Sequence, residues 1–462
     1  MAGISFGGLG NGFDFQQVVT QLVSLQRAPI DQMTSDQQGL RAKLTDYGAL
    51  GSNLLKLQSS AASLKLSSGF DRFTASSGDT DVLGVSAAGG ATPGNYTLTV
   101  TQLAAAHQIT NKAATSVAST TTGIVSGPSA TFSFTVGGGA AQNITLNTGA
   151  TLDDLKTAIN DLSAGVTAST LNTGTDAAPS YRLVLTSTTT GTAGAVAVTA
   201  DGTSLDLLNN SGTGGIDTLQ AAQDAIIVLG DPAADPVTIQ RSSNTITDAI
   251  SGVTLSLKSA TAPGSTVNVA VSRDATAVKT DVKAMVSAYN DIVKFVNDRT
   301  TYDTDKKVGG VFYAESAPKT VLNRLRQALA NDVGGLMGLT SVATLGFKTE
   351  RDGTITLNEG TLDAALSTNY TGVKNLFIGQ ATTTGVAQRL SDAVDGVDAV
   401  DTGTLTLREA SLTKNISDLS DRITLKENNL TLYQEQLQLQ YAQLDGLLRQ
   451  MQSQLDFLKS RL

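Results

Sequence analysis

Few side chains in this sequence could carry out chemistry, and they stand apart from one another. The chain has no cysteine and a single histidine, His107. Without cysteine there is no disulfide, thiolate metal site or cysteine nucleophile, and one histidine does not make a multi-histidine metal site. A Ser-His-Asp triad would depend on His107 alone, and an isolated titratable residue is usually structural. We therefore interpret His107 as a structural residue at the end of a strand.

Two further motifs resemble ligand sites but lack a necessary part. The glycine-rich run over residues 8–12 is not preceded by a strand, so it does not predict a phosphate-binding loop. Asp303 and Asp305 have the spacing that opens a calcium loop, but the sixth position is Val308 instead of glycine and the twelfth is Ala314 instead of glutamate. The sequence therefore predicts a protein that is not an enzyme and has no metal or cofactor.

Length and composition favour several light domains. A chain of 462 residues is too long for one compact core, and 45 glycines with only 5% aromatic residues suit short strands and turns. Met1–Gly12 has neither the basic nor the apolar region of a secretory signal peptide, and no stretch approaches the roughly 18 apolar residues of a membrane span. We therefore expect a soluble protein that does not use the general export route.

The middle of the chain differs from its ends. Between Thr74 and Ala275 there are six basic residues, fourteen aspartates and no glutamate, and six of the eight prolines lie there. Proline breaks helix interiors, so long helices are expected in the proline-poor ends. Neither part has the basic surface of a nucleic-acid-binding protein.

The N-terminal end has the pattern of two helices. Asp14 is a plausible N-cap for a short helix with an apolar face, and Pro29 is expected to interrupt that helix. From Leu40 to Leu64 a second run places apolar residues at alternating spacings of three and four, which is typical of a coiled-coil seam.

The C-terminal end repeats this pattern over a greater length. The apolar spacing from Leu412 onward predicts a helix that reaches Leu462, about 75 Å long at 1.5 Å per residue. Lys426, Gln440 and Gln454 occupy seam positions and weaken the stripe. Such a helix needs a partner to bury its stripe, and the N-terminal run is the nearest candidate. An ordinary helical hairpin is the alternative.

Between the ends, short alternating segments predict strands, with a helix beginning at Thr151. Thr151 and Asp154 have the spacing of a capping box, and Asp153 and Asp154 suit the N-terminus of a helix. A further helix is expected from about Ala277 to Asn297. The predicted fold class is α+β and multidomain: a long-helix, coiled-coil-like leg from both chain ends, with two β-rich domains inserted between them.

Several segments in this order resemble the flagellar hook-associated protein 2 family. The matching stretches are Gly12–Ile30 (GFDFQQVVTQLVSLQRAPI), Tyr96–Ile109 (YTLTVTQLAAAHQI), Ile239–Lys258 (IQRSSNTITDAISGVTLSLK), Val286–Val296 (VSAYNDIVKFV) and Leu345–Leu366 (LGFKTERDGTITLNEGTLDAAL). Phe132–Thr186 is similar to a repeat that flagellins and hook-associated proteins share. The resemblance covers nearly the whole chain.

The resemblance implies a structural protein that caps the distal end of the bacterial flagellar filament and helps flagellin to fold and insert. It implies secretion through the flagellar type III route to the extracellular flagellum tip. The implied partners are other copies in a ring of roughly five or six subunits, flagellin, hook-associated junction proteins and an export chaperone at the C-terminal helix. Nucleic acid and membrane insertion are not expected. Two alternatives stay open: a hook–filament junction protein, and a tip-exposed adhesin that binds host glycans or mucin.

These observations together give an expected domain plan and an expected contact surface. The domains are a flexible segment over 1–34, a helical leg over 35–80 and 275–430, a β-rich domain over 81–125 and 217–274, a nested repeat-like β-rich domain over 126–216, and a C-terminal coiled-coil segment over 431–462. The residues expected to hold the oligomer together and anchor it in the filament are Val18, Val19, Leu22, Leu25, Leu437, Leu444, Met451, Leu455 and Leu458.

Overall fold

The structure, a computed structural model, describes residues 15–231, 234–305, 307–334, 336, 338–380 and 383–460. Contacts divide the chain into two units. The helical unit joins the two ends of the chain, up to Phe70 and from Ala275 onward, and the β unit is Asp71–Asp274. The β unit is therefore an insertion in the sequence of the helical unit.

The described helices and strands fall into three runs along the chain. The first run contains α1 (Phe15–Ala61) and α2 (Ser67–Phe70). The insertion contains β1 (Phe73–Ser77), β2 (Leu83–Ala87), β3 (Gly94–Gln102), β4 (Ala106–Asn111), β5 (Ser129–Val136), β6 (Gln142–Asn147), α3 (Leu152–Asp161), β7 (Val166–Asn172), β8 (Tyr181–Thr190), β9 (Val196–Asp201), β10 (Ile216–Gln220), β11 (Ala225–Leu229), β12 (Val237–Arg241), β13 (Thr245–Ile250), β14 (Val253–Leu257) and β15 (Val267–Arg273). The last run contains α4 (Ala275–Thr300), β16 (Tyr302–Asp303), β17 (Val308–Gly309), α5 (Ala317–Ala330), β18 (Phe347–Thr349), β19 (Ile355–Leu357), α6 (Glu359–Thr368), α7 (Tyr370–Ile378), α8 (Val386–Asp398) and α9 (Thr404–Lys459).

The predicted α+β class, with helical ends and a β-rich middle, is confirmed. One local prediction is wrong: α1 runs through Pro29 without interruption. A proline removes the amide that would bond the carbonyl four residues earlier, here Leu25. Both Pro29 and Leu25 are exposed, so water can satisfy that carbonyl and the helix continues. Asp14, the expected N-cap, lies outside the described residues.

One continuous hydrophobic core holds the helical unit together. From α1 it takes the buried face that ends in Leu54, Leu57 and Ala61, and from α9 it takes Leu405 and Leu412. The helices α4, α5, α7 and α8 supply most of the remaining buried side chains. The described residues of this core include neither α1 before Leu40 nor α9 after Leu412, so the distal parts of both helices extend beyond it.

The β unit contains two separate hydrophobic clusters. One lies between a five-stranded sheet of order β1-β15-β3-β11-β12 and a three-stranded sheet of order β13-β14-β2. The other lies between a four-stranded sheet of order β10-β4-β8-β7, a three-stranded sheet of order β6-β5-β9, and α3. Within the second set of sheets, β5 and β6 form an antiparallel hairpin, with Phe132 opposite Ile144.

Two boundaries of the expected domain plan differ from the observed units and hydrophobic clusters. Residues 71–80 were assigned to the helical leg, but β1 pairs with β15 in the β unit. Residues 81–125 were assigned wholly to the outer β-rich domain, but Ile109 and Ile124 pack in the cluster of the nested segment. In both cases the deciding hydrogen bonds or contacts join residues far apart in sequence, which local patterns do not reveal.

Candidate assembly surface of the terminal helices

The helices α1 and α9 form an antiparallel pair. The rings of Phe15 and Tyr441 lie 5.5 Å apart, and Gln37 Nε2 donates a hydrogen bond of 3.3 Å to the carbonyl of Ile416. Nearer the core, a Cβ added at Gly51 would lie 3.3 Å from Leu405 Cδ2, so this glycine permits a close approach of the two helices. In these contacts the residue numbers rise along α1 while they fall along α9. They therefore show which residues of the two helices lie side by side.

The expected seam residues of α1 differ in burial. Val19 is buried, and Val18 and Leu22 are half-buried. Leu25 is 72% exposed. The same apolar run therefore has one side against the pair and one side in solvent.

Along α9 the expected seam passes from buried to exposed. Leu437 is 8% exposed, whereas Leu444 is 42% and Met451 57% exposed. Further on, Leu455 is 53% and Leu458 59% exposed. Tyr441 is already level with Phe15, the first described residue of α1, so α9 continues past the described part of its partner. The structure thus buries Val19 and Leu437 within the pair and leaves the distal four residues as an apolar stripe.

A buried ionic cluster fixes the pair to the core. Glu315, whose side chain is 9% exposed, accepts two hydrogen bonds from Arg408 of α9, Nη2 to Oε1 at 2.8 Å and Nε to Oε2 at 2.9 Å. It accepts two more from α1, one of 3.0 Å from Lys43 Nζ and one of 3.0 Å from the hydroxyl of Tyr47. We call Glu315, Lys43, Tyr47 and Arg408 the Glu315 cluster.

The charges within the Glu315 cluster shift the ionisation of its members. Burial alone would raise the pKa of Glu315, but the hydrogen bonds from Arg408, Lys43 and Tyr47 outweigh it and lower the pKa to about 2. Two effects raise the pKa of the Tyr47 hydroxyl: burial is the larger, and the negative charge of Glu315 is the next. A carboxylate that is charged at neutral pH therefore binds both terminal helices. Sequence reasoning missed this cluster because Glu315 and Arg408 are far along the chain from each other and from Lys43 and Tyr47.

The isolated residues considered for chemistry have structural roles. The Nδ1 atom of His107 accepts a hydrogen bond of 2.9 Å from the amide of Val196. Thr151 and Asp154 form the predicted capping box at the start of α3. Within the described part of the chain, no group of three or more His, Asp or Glu side chains could hold a metal ion. The glycine-rich run over 8–12 lies outside the described residues.

Comparison with family models decides what kind of protein this is. The model "Flagellar hook-associated protein 2 C-terminus" matches residues 222–453, and "Flagellar hook-associated protein 2 N-terminus" matches residues 11–107. The chain belongs to the flagellar hook-associated protein 2 family. Residues 131–189 also match the "Flagellin hook IN motif", which confirms the repeat-like segment seen in the sequence.

Individual relatives agree over nearly the whole length of this chain. It is 30% identical to the B-type flagellar hook-associated protein 2 of Pseudomonas aeruginosa, with 92% of this chain and 93% of the relative covered. It is 29% identical to the flagellar hook-associated protein 2 of Escherichia coli K12, with 92% of each covered. Since the family is structural, the prediction of a non-enzymatic protein is confirmed.

A solved structure has the same fold. The crystal structure of the D1-D2-D3 domains of the E. coli flagellar cap protein FliD superposes with a TM-score of 0.62 at 28% identity, and covers 80% of this chain and 99% of that one. None of the helices in the described part of this chain is both long enough and apolar enough to cross a membrane.

Proposed function

We propose that this protein caps the distal end of the bacterial flagellar filament, outside the cell, as a non-enzymatic ring of identical subunits that contacts flagellin. Family membership supports this role, as does the fold shared with a solved structure described as a flagellar cap protein. The structural observation that carries the mechanism is the apolar stripe of α9, which continues past the described part of its partner helix and is exposed there.

The exposed distal stripe anchors the ring. Leu444, Met451, Leu455 and Leu458, together with Val18, Val19, Leu22, Leu25 and Leu437, form the anchoring seam, which holds the oligomer together and anchors it in the filament. A continuous exposed apolar stripe marks a contact with another protein, because exposing apolar surface to water is unfavourable in free energy. Leu444, Met451 and Leu458 follow Leu437 at intervals of seven, so the partner that covers them is itself a helix.

Membership of the family implies the finer partners and the export route of this proposal. The ring holds roughly five or six subunits and sits on a filament that begins at hook-associated junction proteins. Before assembly, an export chaperone covers the C-terminal helix, because an exposed apolar stripe would otherwise aggregate. The protein leaves the cell through the flagellar type III route. The family assignment does not favour the junction-protein or adhesin alternatives.

The test places charge in the seam. Met451→Asp with Leu458→Asp puts two carboxylates into the anchoring contact, where an unpaired buried charge costs several kcal/mol. We expect flagellin to be secreted into the medium, filaments to be short or absent, and swimming to be lost. The readouts are filament length by electron microscopy and flagellin in the culture supernatant.

The matched control is Leu407→Asp, a leucine of the same helix that is 53% exposed but lies at the core end. It should leave filaments at full length. Full-length filaments in the Met451/Leu458 variant would show that the seam is not the anchor.

A further inference from the structure

A second line of leucines runs along α9 on another face than the anchoring seam. Leu425, Leu432 and Leu439 are 61%, 57% and 64% exposed. Their spacing of seven residues is about two helical turns, so they lie on one face. Leu437, which is buried, is five residues from Leu432, about 140° around the helix. The stretch thus has one apolar line inside the α1–α9 pair and another in solvent.

The same stretch is almost free of charge. Between Asn428 and Leu444 the only charged residue is Glu435, whereas Thr404–Glu427 carries eight charged residues. In α1, Phe15–Gln26 has none. The contact of Phe15 with Tyr441 places these two uncharged stretches at the same level of the pair. We call Phe15–Gln26 and Asn428–Leu444 the charge-poor band, and it carries the exposed Leu25 besides Leu432 and Leu439.

Three properties of the band identify the kind of partner. A solvated helix face usually carries charged residues, and depletion of charge is typical of the centre of a protein interface. Leucines at intervals of seven fit a neighbouring helix. The positions beside them, such as Asn429, Thr431 and Gln436, donate and accept hydrogen bonds without repelling a copy of themselves. The band has no basic residues for an anionic surface, so it suits a second copy of this chain.

We propose that the charge-poor band is the lateral contact between neighbouring subunits, with Leu432 and Leu439 of one copy packed on the α1 helix near Leu25 of the next. This proposal rests on the proposed ring. Because one face of a subunit meets a different face of its neighbour, the contact is heterologous and can close into a ring of more than two copies. Each contact is small, so closure of the ring supplies much of its strength.

The experiment measures self-association of the full chain in the absence of filament. In Leu432→Asp with Leu439→Asp, two carboxylates replace leucines at the contact, and we expect self-association at least about tenfold weaker than in the natural chain. The control is Leu55→Asp, a leucine of α1 that is 52% exposed but lies outside the band, and it should associate as the natural chain does. Sedimentation velocity gives the distribution of species, and circular dichroism checks that helix content is unchanged.

Cross-linking tests which surfaces meet. The chain has no cysteine, so Leu25→Cys and Leu432→Cys each introduce a single thiol. A mixture of the two variants should form disulfide-linked dimers under mild oxidation that neither forms alone, since a disulfide needs Cα atoms within about 7 Å. A mixture with no more dimer than either variant alone overturns the proposal. So does unchanged self-association in Leu432→Asp with Leu439→Asp, or a natural chain that stays monomeric at every soluble concentration.

The outcome is separable from that of the proposed function. If the Met451/Leu458 variant still supports full-length filaments while the Leu432/Leu439 variant loses self-association, the anchoring role fails and the lateral contact stands. If the Met451/Leu458 variant loses filaments and the Leu432/Leu439 variant keeps its self-association, the lateral contact fails and the anchor stands.

Discussion

The core end and the distal end of the terminal helix pair have the same apolar spacing but opposite environments. At the core end, Leu54 of α1 is fully buried and Leu412 of α9 is fully buried. At the distal end, Met451 and Leu458 of α9 are more than half exposed. This difference shows that a heptad pattern predicts which face of a helix is apolar, but does not predict whether that face is buried. Burial depends on whether other helices are present at that level.

The largest expected effect contrasts a buried leucine with exposed ones. Leu54→Ala should lower the free energy of unfolding of the helical unit by about 3 kcal/mol, since it removes buried methyl groups and leaves a cavity. Two exposed leucines serve for comparison: Leu455 at the distal end of α9, and Leu55, which follows Leu54 in α1. Leu455→Ala and Leu55→Ala should each change the free energy of unfolding by less than about 0.5 kcal/mol. Hydrogen exchange of core amides in α4 measures this. Equal effects of Leu54→Ala and Leu455→Ala would remove the distinction between the two ends.

The next effect concerns the Glu315 cluster at the boundary between these ends. Glu315→Gln should destabilise the helical unit by about 2–3 kcal/mol, because Arg408 and Lys43 lose a charged acceptor in a partly buried place. Protection of α1 and α9 amides near Tyr47 should fall first. If hydrogen exchange there is unchanged, the cluster does not fix the pair to the core.

The pH dependence of the same cluster has a definite sign. The folded pKa of Glu315 is about 2, below its ordinary value of 4.5. A lowered pKa stabilises the fold above the unfolded value, so this contribution is complete at neutral pH and is lost as the pH falls from about 4.5 to about 2. The Glu315→Gln variant has no carboxylate at this position, so it should not lose this contribution to stability as the pH falls. The difference in unfolding free energy between the two proteins should therefore narrow over this acid range.

A smaller effect is expected in the β unit. Thr151→Ala removes the side-chain oxygen that accepts from the Asp154 amide, at 3.2 Å, and should destabilise α3 by about 1 kcal/mol. Thr157→Ala, an exposed threonine inside the same helix, should be neutral or slightly stabilising because alanine favours helix. Local hydrogen exchange of α3 compares the two. Equal protection in both variants would mean that the cap contributes nothing.

The last prediction changes no residue. In an isolated subunit, α1 before about Gln32 and the distal part of α9 should exchange their amide hydrogens much faster than the core end, because partly covered helices do not offset the entropy of ordering. On assembly their protection should rise. Uniform strong protection of Phe15–Leu25 in a monomer would contradict this expectation.

Local patterns in the sequence were sufficient for most of the secondary structure. Both the short alternating segments and the capping box of α3 depend on neighbours within a few residues. The structure has strands such as β12 and β14 in the middle of the chain, and the capping box is confirmed. The family resemblance was also carried by short contiguous segments. The local rule that proline interrupts a helix failed at Pro29, because an exposed carbonyl can accept its hydrogen bond from water.

What the sequence by itself determined about this protein is where helices and strands form and which face of each is apolar, since both follow from the period of the residues along the chain. Only the tertiary structure decided which stretches of those faces are covered. It brings Lys43, Glu315 and Arg408 together, and it leaves Leu432 and Met451 in solvent. The physical reason is that burial and ion pairing depend on residues distant in sequence, whereas periodicity does not.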